Sequence, residues 1–162
     1  MPVNRVYKDR VRAGMHFGHD KAHNTGIAAY TSLKGLTAAL TGTATPSATE
    51  AEIVTGGQTI IITLTGSTWV AAGATFNAQR QAIIDGLTSA QSEATGWNAV
   101  VRDVMAVTAV VRTSSTVVTV TTPAAATYAI TADETVTVTV PLAAIDLATS
   151  DVVAGSFLIV NA

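Results

Sequence analysis

Residues 133–141 read DETVTVTVP, and this stretch decides the fold. Val136, Val138 and Val140 alternate with Thr135, Thr137 and Thr139, a period of two that only an extended strand turns into one apolar and one polar face. Pro141 ends the run, because proline has no N–H for the ladder. Asp133 and Glu134 stand where the strand begins and read as turn and solvated edge rather than as a catalytic pair.

The same period recurs on both sides. QTIIITLTG, residues 58–66, sets Ile60, Ile62 and Leu64 on one face, mostly against threonine on the other. VTAVVRTSSTVVTVTTP, residues 107–123, holds two β-branched runs about the polar RTSS and reads as a hairpin that Pro123 closes. GSFLIVNA, residues 155–162, reads as a last strand. One segment breaks the pattern. In ATFNAQRQAIIDGLTSAQ, residues 74–91, Phe76, Ile83, Ile84 and Leu87 fall at helical spacing, with Gln79, Arg80, Gln81 and Asp85 between them. Residues 93–106, EATGWNAVVRDVMA, lead back toward the sheet and offer Trp97 as a core anchor beside Trp69; Tyr128 is assigned to the core as well. Strands with turn signals and one helical crossover indicate a mainly β, two-sheet sandwich with one inserted amphipathic helix.

Composition agrees. The chain has 162 residues, of which 48% are apolar, 12% charged and 5% aromatic, so its core must rest on Val, Ile, Leu and Ala. Absence of cysteine excludes disulfides, thiol nucleophiles and thiolate ligands. The basic start MPVNRVYKDRVRAGMHF has no apolar stretch behind it, and no run of roughly 18 apolar residues occurs, so neither a signal peptide nor a membrane span is expected.

The net charge of −2 conceals two unlike parts. Residues 1–34 carry Arg5, Lys8, Arg10, Arg12, Lys21 and Lys34 against Asp9 and Asp20, a net of +4. The remainder carries Arg80, Arg102 and Arg112 against nine acids, a net of −6. Glycines at 14, 18, 26 and 35 interrupt any long helix in the basic part, and TGTATPSATE, residues 41–50, has the composition of a linker. The expected organisation is an irregular N-terminal arm over 1–40, a linker over 41–49 and a β domain over 50–162, with a chain starting near Ser47 able to fold alone.

EAEIVTGGQTIIITLTGSTWV, FNAQRQAIIDGL, GWNAVV and YAITADETVTVTVP, taken in order, resemble the immunoglobulin-like module of structural proteins of tailed bacteriophages. The resemblance covers residues 46–162. It implies an immunoglobulin-like β-sandwich in a virion protein, without cofactor or catalytic residues.

All three histidines lie in GMHFGHDKAHN, residues 14–24. His16, His19 and His23 with Asp20 would make a zinc set on a helix, but Gly14 and Gly18 work against one and no H-E-x-x-H element is present. The β domain has neither histidine nor lysine, and no nucleophile elbow or phosphate loop occurs, so the chain reads as a non-enzyme. Tyr7 and Phe17 among the basic residues would suit nucleic acid, yet the acidic domain attached to them opposes phosphates. The favoured reading is a docking arm, with Arg5, Tyr7, Lys8, Arg10, Arg12, Met15, His16, Phe17, His19, Lys21 and His23 as its contact residues. The expected partner is the major capsid protein or another virion protein, with self-association a further option and membrane excluded. The expected role is a capsid decoration (cement) protein on the particle surface. A small tail, neck or fibre-associated protein, or a host-surface glycan-binding module, stands as the alternative.

Overall fold

The computed structural model describes residues 36–42, 47–146, 148 and 150–162. The chain divides between Lys34 and Gly35. The docking-arm residues Arg5, Tyr7, Lys8, Arg10, Arg12, Met15, His16, Phe17, His19, Lys21 and His23 therefore lie outside the described residues.

The described part is mainly β. Eight strands form two four-stranded sheets around one core. In the first sheet β3 (Thr59–Thr65) lies between β1 (Thr37–Gly42) and β6 (Val117–Thr121), and β5 (Val110–Arg112) adds to β6, giving the order β1-β3-β6-β5 with every pairing antiparallel. In the second, β8 (Val152–Val160) lies between β2 (Ser47–Thr49) and β7 (Glu134–Val140), and β4 (Leu87–Ser89) adds to β7. Only β2 runs parallel to its neighbour, pairing Ser47 with Leu158 and Thr49 with Val160.

The alternation read from the sequence sets which side chains meet. Ile60, Ile62, Leu64, Val118 and Val120 are buried from one sheet, and Val136, Val138, Val140, Phe157 and Ile159 from the other. Their opposed apolar faces supply most of the driving force for closing the two layers. The hairpin of residues 107–123 forms as β5 and β6, with Thr113 N–H donating to the carbonyl of Val117 across the turn.

Two boundaries differ from expectation. The residues assigned to a linker supply parts of two strands: β1 runs to Gly42, and β2 occupies Ser47–Thr49. The folded domain thus reaches back to Thr37, into the 1–40 segment assigned to the arm, rather than starting at Glu50. Edge strands draw on backbone ladder bonds more than on side-chain burial, so a Thr/Ala/Gly composition can serve there. Thr49 then caps a short helix, α1 (Glu50–Thr55), in a reciprocal box: its backbone N–H donates to the Glu52 carboxylate at 2.7 Å, and Glu52 N–H donates to Thr49 Oγ1 at 3.3 Å.

The inserted helix, α2 (Ala74–Asp85), buries Phe76, Ile83 and Ile84. It packs against β4, β5 and the turns at 107–109 and 142–144, closing the side of the two layers between their β4 and β5 edges. It stops at Asp85 rather than running to residue 91, because Gly86 offers its carbonyl to Thr139 N–H at 2.9 Å and turns the chain into β4. A Cβ at Gly86 would strike the backbone oxygen of Thr139. Gly86→Ala is therefore expected to cost about 3 kcal/mol by overpacking, seen as a lowered urea midpoint. An unchanged midpoint would mean that helix and strand separate freely there.

Candidate functional site

One cluster of polar groups in the described domain meets at a buried point, the start of β7. Glu134 is 0% exposed. It follows the parity of Val136, Val138 and Val140, so the pleat that turns those valines inward also turns its carboxylate inward, against the expectation of a solvated edge. A buried carboxylate must find donors or pay heavily in lost hydration. Trp97 N–H donates to Oε2 at 3.0 Å and Oε1 at 3.2 Å, and the Tyr128 hydroxyl donates to Oε2 at 2.8 Å.

Each partner is held in turn. Trp97 is 0% exposed; its indole N–H donates to the Leu87 carbonyl at 3.0 Å, and its ring meets Phe157 edge-on with centroids 5.3 Å apart. Gly96 leaves room for the carboxylate, since a Cβ there would stand 3.3 Å from Glu134 Oε1. Behind Trp97 the chain winds into a π-helical turn, Asn98–Arg102, instead of leading straight back into the sheet. The Asn98 amide locks that turn to β4: its Oδ1 accepts from Ser89 N–H at 3.1 Å, and its Nδ2 donates to the Ser89 carbonyl at 2.9 Å. Thr95 and Ala129 exchange further bonds, Thr95 Oγ1 to the Ala129 carbonyl at 2.7 Å and Ala129 N–H to the Thr95 carbonyl at 3.1 Å.

Burial first, then the hydrogen bond to Glu134 and the negative charges of Glu134, Glu50 and Glu93, push the Tyr128 phenol well above its ordinary value of 10.0. The phenol stays protonated and donating, while the carboxylate accepts. Both groups are sealed from solvent, so the pair works as a clasp between β7, the segment before it and the 93–97 loop, rather than as reactive acid and base. Tyr128→Phe is expected to lower stability by about 2 kcal/mol, the worth of one hydrogen bond to a charged group. The unfolded chain ionises Tyr128 near pH 10.0 and the folded chain does not, so this contribution is complete below that pH and is lost as pH rises above it. Urea unfolding of both forms between pH 7 and 11 checks this, with the wild type declining more steeply in alkali. Parallel declines would show that the phenol is not held neutral by the fold.

Both tryptophans and Tyr128 are buried, as the sequence reading assigned them. His16, His19 and His23 lie outside the described residues, and among the described residues no group of three His, Cys, Asp or Glu side chains is placed to hold a metal ion. No helix among the described residues is long and apolar enough to cross a membrane. The chain matches no family model, no curated protein and no solved structure.

Proposed function

We propose that this chain is a structural virion protein of a tailed bacteriophage, a capsid decoration protein whose immunoglobulin-like domain projects from the head while the N-terminal arm docks. The fold reading is supported by strand order. With β1, β3, β4, β5, β6, β7 and β8 taken as A to G, the sheets run A-B-E-D and C-F-G, the arrangement of an immunoglobulin-like sandwich. β2 then continues the first strand, crossing to lie parallel beside the last. The usual disulfide between the layers is absent, and Trp97 against Phe157 fills part of the interior.

The observation that carries the function is the division of charge. Six of nine cationic side chains and all histidines lie in residues 1–34, joined to a domain of net −6. A basic arm with Met15 and Phe17 as apolar anchors suits a surface of carboxylates and backbone carbonyls on a shell. Self-association through the arm would find the acidic domain of a second copy, which makes an oligomer the other partner to look for.

Removing residues 2–34 tests the assignment. Particle binding is expected to vanish while the melting temperature of the domain stays nearly unchanged, since β1 begins only at Thr37. Chelator is expected to change neither property, which separates docking from zinc binding. Saturation of particles by the arm-less protein would move docking onto the domain and overturn the role given to the arm.

A further inference from the structure

The first sheet turns an uncharged face outward. Its strands β1, β3 and β6 come from residues 36–49, 53–79 and 113–132, stretches without Asp, Glu, Lys, Arg or His. Arg112, which ends β5, lies on the same side of that strand as buried Val110 and so leaves the outward face neutral. The turns that border the sheet, GGQ at 56–58, GST at 66–68 and TSST at 113–116, carry no charge either. The outward residues stand in two rows. Thr41, Ile61, Thr119 and Val111 lie side by side across all four strands, and Ala39, Thr63 and Val117 across three. All of them are half-buried or exposed, while Ile60, Ile62, Val118 and Val120 between them point into the core.

A solvated surface ordinarily carries charge on about a quarter to a third of its residues. This face carries none, in a domain of net −6. The second sheet differs at its rim, where Asp133 immediately precedes β7, Glu50 follows β2 and Asp151 precedes β8. Two copies of so acidic a domain repel each other wherever their acids meet, and approach without that cost where both faces are neutral. The chemistry of the face also matches its own image. A threonine hydroxyl both donates and accepts, and β-branched side chains have few rotamers to lose when covered. A two-fold contact sets each patch against the same patch of its partner, so it requires groups that are complementary to themselves. A charged foreign partner would find no counter-charge here.

We infer that the outer face of the first sheet is a contact between two copies of this chain, packed sheet against sheet with Ile61, Thr63, Val117 and Thr119 at its centre. Strands about 4.8 Å apart, each spanning about five residues, present on the order of 300 Å² of face per copy. A stable complex covers about 800 Å² on each partner. The contact is therefore weak and reversible, and it takes hold where copies are concentrated. It is separate from pairing of the arm with the domain of a second copy, which joins opposite charges.

Sedimentation equilibrium of the full chain, from about 20 μM to about 1 mM in low and in high sodium chloride, reads the contact. A reversible dimer with a dissociation constant on the order of 0.1–1 mM is expected. Salt screens the like charge of the two domains, so the dimer should hold or strengthen at high salt, whereas pairing of arm with domain would weaken. In nitrogen-15 spectra of the same samples, the amide signals of Ile61, Thr63, Val117 and Thr119 should move with concentration, and those of Thr135 and Thr137 should stay fixed. Thr63→Glu with Thr119→Glu brings carboxylates of both copies together and should weaken the dimer at least about tenfold, with circular dichroism confirming the fold. Thr137→Glu, on the outward side of the second sheet, should leave it unchanged. A monomer at every concentration, whether the face stays in water or residues 1–34 cover it, would overturn the inference. So would a dimer that high salt abolishes, shifts confined to the second sheet, or a folded double variant that pairs as tightly as the wild type.

Discussion

Trp97→Ala is expected to cost about 3–5 kcal/mol of unfolding free energy, a large share of the margin of a domain this size. The indole is fully buried, touches Phe157 edge-on and supplies the donor for the Leu87 carbonyl at the first residue of β4. Its removal opens a cavity, strips that carbonyl of its partner and loosens the residue whose backbone N–H answers Glu134. Trp97→Phe, which keeps much of the volume but no N–H, should fall between wild type and alanine. Urea unfolding followed by circular dichroism provides the comparison. A loss below about 1 kcal/mol for the alanine variant would place the ring at the surface and undo the account of the clasp.

The second large effect concerns where the domain begins. A chain starting at Ser47 lacks β1, which pairs with β3 over six positions from Thr37–Thr65 to Gly42–Ile60. Its loss removes ladder bonds worth about 1 kcal/mol each and uncovers the half-buried contacts of Ala38 and Leu40. It also leaves β3, the most isoleucine-rich strand, as an open edge ready to pair with another molecule. The Ser47 chain is expected to be destabilised by at least about 3 kcal/mol and to aggregate on heating, whereas a chain starting at Gly35 melts cooperatively. Equal melting temperatures for the two would show that β1 adds nothing to the fold.

These two cases mark what the sequence discloses and what it withholds. β3 and β7 are legible because each places three apolar side chains at a period of two, and the helix at 74–85 because Phe76, Ile83 and Ile84 repeat at turns of a helix. β1 and β2 are not. TAALTG and SAT carry no contrast between faces, and their strand character comes from ladder partners, β3 for one and β8 for the other, far along the chain. Glu134 was within reach of the same parity that identified its strand, since it stands two residues before Val136; charge argued for the surface, and donors from Trp97 and Tyr128 outweighed it. Arg80 shows the reverse difficulty. Among Gln79, Gln81 and Asp85 it reads as part of a polar helix face, and only the packing of α2 against β5 reveals that it follows Phe76 inward.

The candidate site divides in the same way. A buried clasp depends on contacts between residues 37 positions apart, Trp97 and Glu134, which no local motif announces. The basic charge of residues 1–34 is plain in the sequence, and the docking role proposed for this segment, which lies outside the described residues, is a matter for particles rather than for the isolated domain.

Whether the protein decorates a capsid is decided by imaging purified phage particles labelled at its C-terminus. A decoration protein is expected to give label spread over the whole head, at copy numbers on the order of hundreds, as repeated docking on a symmetric shell would produce. Label confined to the neck, the tail or its fibres, at a few copies per particle, would contradict it.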